Sequence, residues 1–184
     1  MKRCWTGPER MITRIKGLAP SHGAQSRPPT KAAAEPLAWL AEAHKDQLAI
    51  CDSLEAIADN LPEIDREICA YAARMLGPLL RELHAGEERL VFACIERRSG
   101  DDPALAAMLE ELKYEHCEDE CYAEELSEML ARLGAADASA NAETAGYMLR
   151  GFFTNVRRHI AFEQECLRGI LARHRGEQPG TLPA

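Results

Sequence analysis

Hydrophobic residues recur along most of this chain at the spacing of three and four residues that is typical of amphipathic α-helices. Four segments carry such a stripe, at about residues 36–60, 62–98, 102–134 and 141–174. Short stretches rich in Gly, Pro, Asp and Asn separate them, so neighbouring helices should pack side by side. The pattern predicts an all-α fold, an up-down-up-down four-helix bundle.

Local signals predict where the helices begin, break and end. Asp102-Pro103 supplies a cap and a first-turn proline for the third helix, and Gly134 ends that helix. Gly77-Pro78 falls inside the second helix, where proline removes a backbone hydrogen bond. We therefore expect the second helix to be kinked or interrupted at this dipeptide.

One histidine interrupts each of the four stripes, namely His44, His84, His116 and His159. The last three are each followed four residues later by a glutamate, namely Glu88, Glu120 and Glu163. Residues four apart lie one turn apart on the same helix face, so each pair directs an imidazole and a carboxylate to one place. At a rise of about 1.5 Å per residue, all four histidines also stand at nearly one level of the bundle.

A metal ion explains this layer better than the alternatives do. A buried carboxylate is costly unless it is paired, and the stripes contain no Lys or Arg at this level. A single helical histidine is more often a surface or hydrogen-bonded core residue, and a glutamate four residues on is usually solvated. The coincidence of level, stripe and pairing favours ligands, whereas His22 and His174 share none of these features.

Composition and charge limit the domain organisation. The chain has 184 residues, 46% of them hydrophobic, which is enough for one core. Residues 1–35 hold seven Lys or Arg and two Glu, which leaves the remainder at about −13 from a total of −8. We predict a disordered basic tail at residues 1–35, a bundle at residues 36–174 and a flexible tail at residues 175–184.

Several functional classes are disfavoured by the same features. The acidic body argues against nucleic acid as a partner, and no apolar run is long enough to predict a membrane span or a secretory signal. A cytoplasmic protein is expected. The basic tail could instead bind an acidic surface, act as a leader, or reflect a start assigned upstream of Met11.

The seven cysteines form no pattern of an extracellular disulfide framework, and no C-x-x-C is present. We expect a reducing compartment and mostly small buried thiols. Cys117 and Cys121 lie one turn apart beside His116 and Glu120, which leaves a redox or sulfur-ligand role open for this pair.

Four phrases of the sequence together resemble the hemerythrin-like HHE cation-binding domain, over about residues 36–174. They are His44, His84-Ala-Gly-Glu-Glu88 with its continuation to Phe92, Glu115-His116 with Glu120, and Arg158-His-Ile160 leading to Glu163. The resemblance implies a four-helix bundle with a non-haem di-iron centre, two iron ions per chain, bridged by oxygen and by carboxylates.

The resemblance also implies a role for each residue. His44 and His84 would be terminal ligands of one iron, and His116 with His159 would serve the other. Glu88 and Glu163 would be the bridging carboxylates. Glu120 stands where oxygen carriers of the family have a histidine. If Leu83 occupied the ligand position of the second helix, Glu87 would become the natural carboxylate instead of Glu88.

These departures from the carriers favour a protein that binds or senses O2, NO or peroxide, or handles iron, over a reversible oxygen carrier. The sequence contains no phosphate loop and no H-E-x-x-H or G-x-S-x-G motif. We therefore expect no catalytic residues. A ferritin-like enzyme would need Glu three residues before His, which no histidine has. A metal-free or zinc-binding bundle acting as a regulatory module is the alternative.

Overall fold

The computed structural model describes residues 36–99 and 101–174, and these residues contain helices and no strands. The elements are α1 (Pro36–Asp59), α2 (Arg66–Glu87), a π-helical turn (Glu88–Phe92), α3 (Ala93–Ser99), α4 (Pro103–Gly134) and α5 (Ala142–His174). The segments α2, π turn and α3 follow one another without a gap and form a single rod. The bundle of four helical rods predicted from the sequence is confirmed. The predicted tails, residues 1–35 and 175–184, lie outside the described residues.

Side chains of short polar residues fix the starts of the helices. Asp65 accepts hydrogen bonds from the backbone N–H groups of Glu67 and Ile68, at 2.9 and 3.2 Å. Asp102 caps α4 in the same way, and Asn141 accepts from Thr144 N–H at 2.9 Å before α5. These contacts satisfy N–H groups that have no partner within the helix. The second helix therefore begins after Asp65, a little later than the sequence pattern predicts.

The interruption expected at Gly77-Pro78 is absent, because α2 runs unbroken from Arg66 to Glu87. Pro78 removes only one N–H donor from the ladder, and Gly77 has no Cβ to clash with the proline ring. The interruption lies further on, at the π turn that begins with Glu88, where Ala93 N–H donates to Glu88 C=O. Such turns insert one residue into a helix and often occur at functional sites.

The core is divided into two apolar clusters with a polar layer between them. The larger cluster fills the end of the bundle nearest the α1–α2 and α4–α5 turns, and it includes Leu54, Leu80, Leu126 and Phe152. The smaller cluster fills the opposite end, around Phe92, and includes Leu40, Ile95, Leu109 and Leu167. Within residues 36–99 and 101–174, no helix combines the length and apolarity that crossing a membrane requires.

The helices pack mainly as two pairs, with α2 on α4 and α1 on α5, and α4 also contacts α5. Gly86 brings the indole of Trp39, on α1, directly against α2. A Cβ placed on Gly86 would stand 2.5 Å from Cη2 and Cζ2 of Trp39, closer than non-bonded carbons come. The indole thus covers the turn of α2 that carries Glu87.

We expect Gly86→Ala to destabilise the protein by about 1–3 kcal/mol, because the methyl group must displace the Trp39 ring from a packed site. Urea denaturation measures this change. Gly146→Ala is the matched control: the nearest atom there is the tip of Arg150, which can move, so the expected result is neutral or slightly stabilising. Equal stability of Gly86→Ala and the natural protein would contradict this packing.

Candidate metal centre

The polar layer consists of eight side chains that are at most 3% exposed and that lie between the two apolar clusters. They are His44 and Gln47 of α1, His84 and Glu87 of α2, His116 and Asp119 of α4, and His159 and Glu163 of α5. Every helical rod contributes two members, three or four residues apart, since residues at that spacing share one helix face. The four histidines predicted to lie at one level do so.

His44, Glu87 and Glu163 form the tightest group of this layer, and their ligand-type atoms all lie within 4.8 Å of one another. His44 Nε2 is 2.7 Å from Glu163 Oε2 and 3.7 Å from Glu87 Oε1. All three side chains are buried, so their spacing suits donors that converge on one cation. Within the described parts of the chain this is the one group of three such residues at this spacing.

The other three histidines stand together on the side of the layer formed by α2, α4 and α5. The rings of His84 and His116 are stacked, with centroids 4.0 Å apart and planes 7° from parallel. The His159 ring lies 5.1 Å from His116 and 6.3 Å from His84. Phe92, from the π turn, stacks on the outer face of this group at 5.7 Å from His116.

Glu87 connects the two groups. Its Oε1 faces α1, at 3.4 Å from Gln47 Nε2, and its Oε2 faces α4, at 3.2 Å from His116 Nε2. A carboxylate whose two oxygens point to two separate sets of nitrogen donors has the arrangement that a bridging ligand needs.

Three glutamates at the edge of the layer, which we call the rim carboxylates, contact the outward nitrogen of a histidine on a neighbouring rod. Glu120 Oε1 lies 3.0 Å from His84 Nδ1, Glu88 Oε1 lies 2.9 Å from His116 Nδ1, and Glu115 Oε2 lies 2.6 Å from His159 Nδ1. Their side chains are 27%, 39% and 30% exposed, so each reaches solvent as well as a buried ring.

The layer lacks positive charge of its own. No Lys or Arg of the described residues forms an ion pair with Glu87 or Glu163, and burial raises the pKa of Glu87 above its ordinary value. Burial, together with repulsion from His116 and His159, lowers the pKa of His84 to about 2. For His116 burial alone would lower the pKa, but its contacts with Glu87 and Glu88 raise it.

Several buried atoms of the layer have no hydrogen-bond partner, which is unusual in a folded protein. They are Gln47 Oε1, Glu87 Oε2, His116 Nε2, Asp119 Oδ2, His159 Nε2 and Glu163 Oε1. These are carboxylate, amide and imidazole atoms that can bind a cation, and a cation would satisfy both their bonding capacity and their uncompensated charge. The donor set therefore fits a metal centre.

Five of the seven residues singled out from the sequence lie in the polar layer, and the glutamates Glu88 and Glu120 do not. Successive residues of a helix are turned by about 100°. Glu87 therefore faces His44 and the core, while Glu88 faces the exposed edge of α4, so the structure places the reserve choice and not the preferred one in the layer. Glu120 is turned to the rim by its contact with His84.

Three further residues at the site do not follow the i, i+4 spacing on which the prediction from the sequence rests. Gln47 and Asp119 follow His44 and His116 by three residues, which also keeps them on the histidine face. Asp119 Oδ1 accepts from Asn155 Nδ2 at 2.6 Å, and burial raises the pKa of Asp119. Glu115 precedes His116 and reaches the next rod, which no pattern within one helix reveals.

The six cysteines that the structure describes lie outside the polar layer. Cys51 and Cys69 are buried, and burial raises the pKa of their thiols to about 12 and about 11. Cys94 and Cys166 are half-buried and Cys117 and Cys121 are exposed, so the expectation of mostly buried thiols is wrong for the described cysteines. The side chains of Cys117 and Cys121 point away from the layer although they follow His116 and Glu120 directly.

Residues 35–168 match the family model of the hemerythrin HHE cation-binding domain, which covers the whole polar layer. Neither the curated proteins nor the solved structures compared with the chain gave a match.

We expect Glu87→Gln to stabilise the metal-free protein relative to the natural one, and the gain to grow as the pH rises from 4 to 8. The folded-state pKa of Glu87 is raised, so the stability contributed by its protonated form is present below the ordinary value of 4.5 and is lost above it. Glutamine cannot ionise. The gain amounts to about 1.4 kcal/mol for each unit by which folding raises the pKa.

Urea denaturation in the presence of a chelator, at several pH values, measures this difference. Glu88→Gln is the matched control, because it removes the same charge one residue away at a side chain that is 39% exposed. If both variants respond to pH alike, Glu87 is not the buried, uncompensated carboxylate described above.

Proposed function

Because this chain belongs to the hemerythrin HHE cation-binding domain family, we propose that its polar layer binds two iron ions and that the protein binds or senses O2, NO or peroxide, or handles iron. The observation that supports a two-metal layer best is the orientation of Glu87, whose two oxygens face the donors of α1 and of α4 separately. The chemistry of the donors, the charge of the layer and its separation from water support the choice of iron and of a small ligand.

One ion would be held by His44, Glu163 and Glu87, and the other by His84, His116, His159 and the second oxygen of Glu87. This assignment retains five of the residues named from the sequence and substitutes Glu87 for Glu88. It differs from the roles implied by the family resemblance in that His84 serves the ion of His116 and His159, and Glu163 serves one ion instead of both. Glu120 would act on the ion through His84 and not as a ligand. Asp119 and Gln47, both fully buried beside the two groups, complete the polar surroundings.

The donor types narrow the choice of metal. Imidazole nitrogen with carboxylate oxygen suits Fe, Zn, Cu and Mn, whereas sites for Ca²⁺ or Mg²⁺ are built from oxygen alone and sites for thiophilic ions contain cysteine. The layer has four imidazoles and no thiol. Iron, when bound, would supply one-electron redox chemistry and open coordination positions for a small ligand.

The protein's own part is to exclude water and to set the charge. The apolar clusters on both sides, with Phe92 against His116, leave the layer nearly inaccessible to solvent. Rim carboxylates that accept from three imidazoles make those rings more electron-rich, which favours the ferric over the ferrous state. This effect favours sensing over oxygen transport, the same preference that the sequence indicates.

The metal content of protein purified from iron-supplemented cells tests the proposal. We expect about two iron ions per chain, as in other carboxylate-rich bundles, and near-ultraviolet absorption bands. Glu163→Gln should lose metal and colour, because it removes a buried negative ligand, and a His116→Ala, His159→Ala double variant should lose both completely.

Glu165→Gln is the control, because it changes an exposed glutamate two residues further along α5 and should retain full metal content. Protein that contains little metal, or zinc without colour, would contradict the iron centre. That result would favour a regulatory or interaction module built on the same bundle.

We expect the reduced iron form to return to the ferric form promptly in air, because electron-rich imidazoles stabilise the higher oxidation state. Stopped-flow mixing with air-saturated buffer, monitored by visible absorption, measures the rate. Reversible oxygen uptake that persists for hours would contradict this expectation and would restore the carrier function.

A further inference from the structure

The His-x-x-x-Glu motifs of α2 and α4 do not pair within their own helix. Glu88 follows His84 by four residues but contacts His116, and Glu120 follows His116 by four residues but contacts His84. The two motifs therefore exchange partners between two packed helices, and the rings of His84 and His116 are stacked between the exchanged carboxylates. Glu115 makes the corresponding contact from α4 to His159 of α5.

All three contacts involve Nδ1 of the ring. An ionised carboxylate can only accept a hydrogen bond, so the proton of the neutral His84 and His159 rings must lie on Nδ1. Both nitrogens of His116 lie near a carboxylate, and the shorter contact, 2.9 Å to Glu88 against 3.2 Å to Glu87, favours a proton on Nδ1 there as well. The second nitrogen, Nε2, is then an unprotonated lone pair turned into the layer. This is the less common tautomer of free histidine, and a ring that binds a metal through Nε2 needs it because a protonated nitrogen cannot bind an ion.

The inner nitrogens bear out this orientation. His159 Nε2 is buried and has no hydrogen-bond partner, which is a costly state. His116 Nε2 also lacks an aligned hydrogen bond, although Glu87 Oε2 lies 3.2 Å away. The outer contact, at 2.9 and 2.6 Å, is the interaction that can hold each ring in place. Because the rim carboxylates reach solvent, they stay charged at a lower desolvation cost than a buried acid would.

His44 has the opposite arrangement. Its Nε2 lies 2.7 Å from Glu163 Oε2 inside the layer, and its Nδ1 lies 3.1 Å from Gln164 Nε2 at the edge. An amide N–H donates and a carboxylate accepts, so this ring carries its proton on the inner nitrogen. His44 must give up that proton to become a ligand, whereas the other three rings need no change.

We propose that Glu88, Glu115 and Glu120 are positioning residues that set the tautomers of His116, His159 and His84 before any metal binds, so that three of the four imidazoles present Nε2 lone pairs in advance. The purpose of this arrangement, which is to bind metal, rests on the proposed function. The tautomers themselves exist in the metal-free protein and can be measured there.

The experiment uses metal-free full-length protein labelled with ¹⁵N in its histidines, at a pH well above the ordinary pKa of imidazole. Long-range ¹H–¹⁵N correlation spectra distinguish a protonated ring nitrogen from an unprotonated one. We expect protons on Nδ1 of His84, His116 and His159 and on Nε2 of His44, with each ring assigned from its single His→Gln variant.

Glu120→Ala removes the acceptor of His84 alone, so His84 should shift toward the Nε2–H tautomer while His159 stays unchanged. Glu115→Ala should have the reverse effect. Glu120→Gln keeps an acceptor oxygen and should restore most of the original tautomer. Glu124→Ala is the control, because Glu124 is exposed on the same helix and pairs with Arg81 instead of a histidine.

Zn²⁺ titration of the same variants gives a second measurement, for which we expect an affinity lower by about 10–100-fold for each rim variant and no change for Glu124→Ala. Carboxylates that merely brace the helices would alter stability and leave the tautomers as they are. Unchanged tautomers in the folded alanine variants, or Nε2–H on the three rings of the natural protein, would overturn the inference. If the tautomers are as expected but no metal binds, the proposed function fails and the inference stands.

Discussion

The structure depends on the burial of charge that the chain alone does not compensate. Glu87 and Glu163 lie at zero exposure among four imidazoles, without a Lys or Arg in contact within the described residues. Apolar side chains of similar volume would make a more stable layer. The two apolar clusters must therefore offset the free energy of folding that the buried charges cost. A bound cation would compensate those charges and stabilise the fold. Metal binding and folding stability are coupled in such a molecule, because the ion binds only the folded arrangement of ligands.

The rim carboxylates relate this buried chemistry to the packing of the helices. The contacts between His84 and Glu120 and between His116 and Glu88 join α2 to α4, the most extensively packed pair of helices. The register of one helix against the other is thus fixed by the same contacts that orient the rings. A slip of one turn would separate both pairs at once, so the orientation of the donors and the relative position of the helices cannot vary independently.

The sequence predicted the helices and the histidine level well, because both follow from spacing along a single helix. The sequence could not decide between Glu87 and Glu88, because both lie close to the helix face that carries His84. Only the position of α1 makes Glu87 the inner side chain. The sequence could not reveal the contact of Glu120 for a related reason: its partner, His84, belongs to another helix. Asp119 follows His116 by three residues and not four, and Glu115 contacts a histidine of another helix, so the i, i+4 spacing reveals neither. Pro78 by itself predicts a break in the helix. The helix continues because Gly77, the residue before it, has no Cβ to clash with the proline ring.

Among the side chains that the structure describes, the two apolar clusters that enclose the polar layer are unequal in size. The smaller cluster, around Phe92, Leu109 and Leu167, has fewer described buried side chains than the larger one. Leu40 belongs to it and lies one helical turn before His44. Local opening costs less free energy where fewer apolar contacts must be broken. Opening of the bundle at that end would break fewer of the described apolar contacts, so we expect fraying of the helix ends there to contribute to the rate at which small molecules reach His44, Glu87 and Glu163.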